Sequence, residues 1–120
     1  MSDNNTTVGQ LRATVEQFVA ERDWLQFHNA KDLAISISLE AAELLEEFQW
    51  LDAAKVAAAS ADPEARGRIR FELADIMVYC LCLSNALELD VSDAVTEKLQ
   101  IAGEKYRREK FKGRAPRLGE

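Results

Sequence analysis

Four carboxylates, arranged as two Glu-x-x-acid pairs, are the residues of this chain best suited to chemistry. Glu40 and Glu43 lie in the segment SLEAAELLEEFQW, and Glu72 and Asp75 lie in RIRFELADIMVY. Both segments have the apolar spacing of helices, and residues three apart lie on one helix face about one turn from each other. Each pair can therefore direct two carboxylates at one point, and two such helices side by side would gather four negative charges.

Such a group of acids favours a bound cation, because neighbouring like charges disfavour the ionised forms of the carboxyl groups. Oxygen ligands suit Mg²⁺, Mn²⁺ or Ca²⁺. Mg²⁺ in particular is usually held by a few carboxylates together with the phosphates of a substrate. The pattern therefore predicts a magnesium site, with manganese as the alternative metal, in a helical enzyme that acts on a polyphosphate.

Helical-wheel positions favour a site over a solvated acidic face. Glu40, Glu43 and Glu47 share one flank beside the apolar stripe of their helix, whereas Glu46 points away from them. The matching row on the other helix consists of Glu72, Asp75 and Tyr79. A carboxylate at the edge of a core is partly desolvated, which is costly unless the carboxylate is paired or binds a metal.

Ordinary surface ion pairs are the alternative interpretation of these acids. The basic residues that could pair with them are Lys31, Arg66, Arg68, Arg70 and Lys98. Such pairs are common on helical proteins and contribute little to stability. Pattern alone leaves the metal site and the ion pairs open.

Length, charge and composition restrict the class of protein. A chain of 120 residues is a single domain by length, and we expect residues 1–120 to form it, with flexible tails at 1–7 and 113–120. The net charge of −6 argues against a nucleic-acid binder. No apolar run approaches the ~20 residues that cross a membrane, and the N-terminus lacks a secretory pattern. We therefore expect a cytoplasmic protein without a membrane or nucleic-acid partner.

Apolar periodicity and capping residues predict an all-α protein, a four-helix bundle without strands. The predicted helices run from Val8 to Asp23, from about Asp32 to Asp52, from Pro63 to about Leu87, and through Val95 to Tyr106. Residues 24–31 are predicted as a loop and residues 55–66 as a weak connector. The second helix is predicted to bury Ala34, Ile37, Ala41, Leu44, Leu45, Phe48 and Leu51. Because four such helices bury only a modest core, the large apolar residues favour self-association.

The chain also resembles a known family. The motifs RDW, QFH and a basic residue precede E-x-x-E-x-x-E-x-FQW, and E-L-x-D-x-x-x-Y follows. This order is similar to that of the MazG-like all-α nucleoside triphosphate pyrophosphohydrolases, especially their dCTP-hydrolysing branch, from about Leu11 to Lys112. The resemblance implies Mg²⁺-dependent cleavage of the α–β phosphate bond, which yields a monophosphate and pyrophosphate. It also implies a homo-oligomer, a dimer or a tetramer built from two dimers.

The resemblance assigns roles to the matching positions of this chain. The implied metal ligands are Glu40, Glu43, Glu72 and Asp75. The residues implied to enclose the base or to lie near the nucleotide are Trp24, Phe27, His28, Lys31, Trp50 and Tyr79. Those implied to face the phosphates are Lys98, Lys105 and Tyr106. The candidates for the general base that activates water are Glu43 and Glu46.

Four positions depart from the family pattern: Val15, Leu39, Ala102 and Arg107. The family often has a histidine, an acid, an asparagine and a proline there, in that order. None of these changes touches the implied metal ligands. They do affect the base and phosphate contacts, so the predicted substrate is dCTP or a related deoxynucleotide, with hydrolysis of another nucleoside triphosphate as the alternative. Cleansing of the nucleotide pool is the expected task.

Three other functions fit the pattern less well. A carboxylate-bridged di-iron or di-manganese bundle uses Glu-x-x-His on two helices, but this chain has one histidine. A non-catalytic helical interaction module would not need all four acids, which are present. A dUTPase-like or phosphoribosyl-ATP pyrophosphatase-like substrate stays within the family, but the tryptophan-containing loop resembles that of the dCTP-hydrolysing branch. Without the resemblance, Trp24 and Trp50 would be assigned to core packing.

Overall fold

The computed structural model describes all 120 residues and consists of helices and turns without a strand. The helices are α1 (Val8–Glu21), α2 (Ala30–Glu46), α3 (Ala53–Ala61), α4 (Pro63–Ala86), α5 (Val91–Lys105) and α6 (Arg108–Phe111). A 3₁₀ turn, Leu25–Phe27, precedes α2. None of these helices has the length and apolar character needed to cross a membrane. The all-α prediction is confirmed, and each of the four predicted helices has a counterpart.

The chain divides into two compact units, residues 1–88 and residues 89–120. The first unit contains α1 to α4 and the second contains α5 and α6. Within the first unit, α4 contacts α1, α2 and α3 and packs most extensively on α2. The α2–α4 pair therefore positions the two acid motifs.

The segment between α2 and α4 differs from its prediction. Helix α2 ends at Glu46 and not at Asp52, because Asp52 has an extended backbone and caps the next helix by accepting a hydrogen bond from the Lys55 amide. The alanine-rich stretch that follows is α3, so the prediction of a weak connector is wrong there. Alanine has the highest helix propensity, and with the Asp52 cap it needs no strong apolar stripe.

The start of α4 agrees with its prediction. The Asp62 carboxylate accepts a hydrogen bond from the Ala65 amide at 2.9 Å, and Pro63 occupies the first turn. Proline suits this position, because the amide hydrogen it lacks would have no partner within the helix. Helix α1 begins in a similar way, with Thr7 and Gln10 forming a reciprocal capping box.

The core of the first unit is centred on Val19 of α1, Leu33 of α2 and Cys82 of α4, with Tyr79 packed against it. Leu33 is only 2% exposed, whereas the prediction placed Ala34 in the buried stripe. The side chains of Ala34, Ala41 and Leu45 are exposed, so the prediction that they are buried is wrong. The face that α2 presents to α1 and α4 is rotated from the one that hydropathy alone selects.

One polar connection ties α1 to the end of α4. The Nε atom of Arg12 donates to Oδ1 of Asn85 at 3.1 Å, and Nδ2 of Asn85 donates to the Arg12 carbonyl oxygen at 3.1 Å. A second guanidinium nitrogen donates to the Ser84 carbonyl at 3.3 Å. The last turn of α4 has no basic residue of its own. Arg12 therefore supplies both a donor and a positive charge where a helix end needs them.

In the second unit, α5 is capped by Asp90, whose carboxylate accepts a hydrogen bond from the Asp93 amide at 2.8 Å. The rings of Tyr106 and Phe111 meet edge to face with their centroids 5.3 Å apart. Arg114 and Glu120 form a bidentate ion pair with distances of 3.0 and 3.1 Å. These contacts give the chain after α5 local order.

Candidate functional site

Helices α2 and α4 bring three of the predicted metal ligands together. Carboxylate oxygens of Glu40, Glu43 and Glu72 lie within 4.8 Å of one another. Each acid lies on the flank of its helix, where the two helices pack. We refer to these three residues as the acid cluster. An ion between them would meet oxygen ligands from both helices.

Two oxygen atoms of the acid cluster are buried without a hydrogen-bond partner, Oε2 of Glu40 and Oε2 of Glu72. Buried polar atoms in folded proteins nearly always have a partner, and an unpaired carboxylate oxygen away from water is costly. A cation held at the cluster would satisfy both atoms. The donor set, all carboxylate oxygens, fits a hard divalent cation.

The alternative of surface ion pairs does not apply to the acid cluster. No carboxylate of the acid cluster lies within 4.0 Å of a basic nitrogen, and neither does that of Asp75. The ion pairs of this chain are formed by Glu21, Glu47 and Glu120. Glu47 is the acid beside the cluster that does pair, with Nε of Arg68 at 3.2 Å. No basic side chain therefore neutralises the acid cluster.

Burial and neighbouring charges change the acidity of two members of the acid cluster, Glu40 and Glu72. Burial raises the pKa of Glu40 above its ordinary value, and the neighbouring carboxylate of Glu43 raises it further. Burial also raises the pKa of Glu72, followed by the charge of Glu43. In both cases the charged form loses hydration and faces like charges. A bound divalent cation would oppose both effects.

Asp75 and Glu46 lie outside the acid cluster. Asp75 is exposed and is not among the three acids whose oxygens converge. Its charge nevertheless raises the pKa of both Glu40 and Glu72, so it lies close to them. Glu46 is exposed at the last residue of α2, which agrees with its helical-wheel position pointing away from the other acids.

A cavity of about 150 Å³ opens between α1, the 3₁₀ turn and the end of α4. Its apolar wall consists of Val15, Val19, Leu25, Cys82 and Ala86, and its polar groups are Glu16, His28 and Asn85. Cys82 follows Glu72 by ten positions on α4, which is ~15 Å along a helix. The cavity is smaller than the ~300 Å³ or more of a pocket that encloses a whole small molecule, so it suits a single ring.

The structure separates the predicted base-binding residues. His28 lines the cavity, but Trp24, Phe27 and Trp50 do not. Trp24 is half-exposed and packs edge to face on Phe18 at 6.0 Å, and Trp50 is 84% exposed. Tyr79 packs its ring on the core. Within one chain these aromatic rings do not enclose a single pocket.

The basic residues predicted to contact nucleotide are exposed. Lys31 lies in the first turn of α2. Lys98 and Lys105 belong to α5 in the second unit, where the Lys105 ammonium lies 5.2 Å from the centroid of the Tyr106 ring. Their contribution to a phosphate site stays a prediction.

Several residues that line the cavity were not singled out as functional from the sequence. Glu16, Leu25, Cys82, Asn85 and Ala86 are of this kind. Asn85 had one usable signal, because it is an amide within the otherwise apolar end of a helix. Val15, one of the four departures from the family pattern, also faces the cavity.

Comparison with protein families matches residues 35–120 to the MazG-like family. The chain belongs to the MazG-like family. The match covers α2 from Ile35 onwards and includes every member of the acid cluster, so the resemblance inferred from the sequence motifs is confirmed.

Two curated relatives of this MazG-like chain are dCTP pyrophosphatase 1 of Rattus norvegicus and of Homo sapiens, each 32% identical over 100 residues. The match covers 83% of this chain and 59% of each relative, so the chain spans about three fifths of their length. A solved structure, a pyrophosphatase from Archaeoglobus fulgidus, superposes with a TM-score of 0.77 at 32% identity. That alignment covers 89% of this chain and 98% of the archaeal one.

Proposed function

We propose that the protein is a Mg²⁺-dependent nucleoside triphosphate pyrophosphohydrolase that converts dCTP, or a related deoxynucleotide, to the monophosphate and pyrophosphate. The observation that carries this proposal is the acid cluster, with two buried carboxylate oxygens that have no partner. The names of the relatives, dCTP pyrophosphatase 1 and pyrophosphatase, support the reaction and the substrate class.

In this proposal Glu40, Glu43 and Glu72, joined by Asp75, hold the metal, with Mn²⁺ as an alternative to Mg²⁺. When bound, the ion supplies positive charge to the triphosphate and lowers the pKa of coordinated water. The orphaned oxygens of Glu40 and Glu72 support this ligand set. The carboxylates at this site repel one another, and a bound cation would offset that repulsion.

The remaining acids and bases have assigned tasks. Glu43 is exposed and adjoins both other members of the acid cluster, so it is the first candidate to accept a proton from the attacking water. Glu46 is the second. Lys98, Lys105 and Tyr106 are proposed to stabilise the charge that builds up on the phosphates.

The base is proposed to enter the cavity that His28 lines. The distance of ~15 Å along α4 between Glu72 and Cys82 is one that an extended nucleoside triphosphate spans, so the base and phosphates could reach both places. Trp24, Phe27 and Trp50 would contribute exposed aromatic surface, and Lys31 a positive charge, to the mouth of the site. Tyr79 would act from the core, behind the acids.

We also propose that the protein works as a homo-oligomer, a dimer or a tetramer. Large apolar side chains on both site helices are at least half exposed: Leu39, Leu45, Phe71, Leu73 and Met77. Exposed apolar surface of this kind is typical of an interface between protein chains.

The decisive experiment is hydrolysis of a panel of nucleoside triphosphates with Mg²⁺, with the products identified. We expect monophosphate and pyrophosphate, fastest from dCTP or its derivatives, and a loss of more than 100-fold in Glu72→Gln, since an electrostatic contact of this kind is worth about 10²–10³ in rate. Glu64→Gln, an exposed acid on the same helix, is the matched control and should retain activity.

The other outcomes separate the alternatives. The same products with another preferred base would retain the reaction and reject dCTP as substrate. Release of orthophosphate would reject cleavage at the α–β bond. A folded protein that releases nothing from any nucleotide would reject the enzyme and favour the helical interaction module.

A further inference from the structure

The contact between Arg12 and Asn85 adjoins the cavity, and the function assigned above does not use it. Asn85 lines the cavity, and its amide is held by two hydrogen bonds to Arg12, one through Oδ1 and one through Nδ2. The two residues are 73 positions apart in sequence. The contact therefore joins α1 to the end of α4 and forms only when the two helices pack together.

These bonds fix which way round the amide lies. If the Asn85 amide were turned over, its NH₂ group would face the Arg12 guanidinium, a donor, and its oxygen would face the Arg12 carbonyl, an acceptor. Both hydrogen bonds would be lost. A side-chain amide offers two donor hydrogens and two acceptor lone pairs. One hydrogen and one lone pair of Asn85 are therefore left for a ligand. The contact with Arg12 determines which side of the amide carries the oxygen and which carries the NH₂ group.

The positions of the amide oxygen and the NH₂ group of Asn85 affect which pyrimidine base can form hydrogen bonds with it. Cytosine carries an amino donor at the ring position where uracil and thymine carry a carbonyl acceptor. An asparagine that can turn over pairs with either group equally well. An asparagine locked in one orientation presents a single type of group at each point in the cavity, so it cannot pair with an amino group and with a carbonyl group at the same point.

We propose that Asn85 is a base-selecting residue and that Arg12 is its positioning residue, so that the pair distinguishes amino-bearing from oxo-bearing bases in the cavity. This inference rests on the proposed function, since it requires that a base enters there. The cavity volume of about 150 Å³ admits a single ring.

The test compares kcat and KM for dCTP and dUTP in the wild type, Arg12→Lys and Asn85→Ala. Lysine keeps a positive charge beside the end of α4 but lacks the fork that reaches both Asn85 and Ser84, so this variant should fold. Gln17→Ala is the matched control, because it removes an exposed amide from α1 whose partner is Glu21. Thermal unfolding of each variant verifies that it is folded.

We expect the ratio of kcat/KM for dCTP to that for dUTP to fall about three- to tenfold in both variants, the effect of one hydrogen bond. The change should appear in KM of the preferred nucleotide with kcat little altered, and Gln17→Ala should keep the wild-type ratio.

Equal losses for both nucleotides would show a merely structural role and overturn the inference. An unchanged ratio in folded variants, or a wild type that does not distinguish the two nucleotides, would overturn it as well while leaving the hydrolase intact. A wild type that releases pyrophosphate from neither these nor other nucleotides would instead overturn the proposed function itself.

Discussion

Replacing Leu33 by alanine tests the packing that holds the two acid motifs together. Leu33 is 2% exposed and lies in the core with Val19 of α1 and Cys82 of α4. It precedes Glu40 by seven positions, two turns along the same face of α2. Leu33→Ala would leave a cavity between three helices at the point where α2 is anchored to α4.

The expected loss in free energy of unfolding is about 3 kcal/mol, within the range of ~2–5 kcal/mol for a buried leucine replaced by alanine. For 120 residues, an unfolding entropy of about 2.1 cal/mol/K per residue makes the total ~0.25 kcal/mol/K, so the midpoint should fall by about 12 °C. Urea and thermal unfolding followed by circular dichroism, at one fixed protein concentration, measure both quantities.

The matched control is Leu118→Ala, since Leu118 is fully exposed and its loss should change the free energy by less than ~0.5 kcal/mol. A Leu33→Ala loss below about 1 kcal/mol, or equal to that of Leu118→Ala, would refute the assignment of Leu33 as the anchor of α2. It would also refute the inference that core packing sets the spacing of the acid cluster.

Four further predictions concern the site and the helices that build it. In the absence of metal, the pKa values of Glu40 and Glu72 are raised in the folded state, so the folded state binds protons more tightly than the unfolded state does. The destabilisation caused by their negative charges is therefore absent below the ordinary glutamate pKa of 4.5 and grows as the pH rises through the folded-state pKa. Urea unfolding in EDTA should therefore show that Glu40→Gln is more stable than the wild type at pH 7 and that this advantage shrinks towards pH 4.5; an advantage that grows on acidification would contradict the sign. Mg²⁺ should raise the unfolding temperature of the wild type and of Glu64→Gln but not of Glu72→Gln, by mass action on the folded state, and calorimetry showing equal shifts would exclude the cluster as the binding site. Asp62→Ala removes the cap of α4 and should cost ~1 kcal/mol in urea unfolding, whereas no change would mean that the cap is dispensable. Because Trp50 is 84% exposed, Trp50→Ala should change stability by less than ~0.5 kcal/mol while raising KM for the nucleotide; an unchanged KM would remove Trp50 from the site.

The sequence by itself determined the class of fold and the residues available for chemistry. The helix starts at Thr7 and Asp62 depend on capping hydrogen bonds between residues only three apart. They can therefore be predicted without a structure. The Glu-x-x-acid spacing likewise specifies that each pair shares a face of its own helix. The same local logic failed at the end of α2, where the Asp52 cap competes with a continuing apolar pattern.

The tertiary structure alone decided which of these residues meet. The approach of α2 to α4 selects Glu40, Glu43 and Glu72 and leaves Asp75 outside the converging group. The partial burial of Glu40 and Glu72, their unpaired oxygens and their raised pKa values all follow from that approach. Spacing along one helix determines a face but not the partner that covers it, because the rotation of a helix about its axis is set by packing against its neighbours.

The cavity and the contact between Arg12 and Asn85 show the same limit more strongly. They depend on residues from α1, the 3₁₀ turn and α4 that are distant in sequence. Hydrogen-bonding groups far apart in the chain carry no periodic signal, since nothing in their local sequence depends on the partner. The local sequence of this chain therefore identifies the residues available for chemistry, whereas the shape and selectivity of the site arise only when the helices pack.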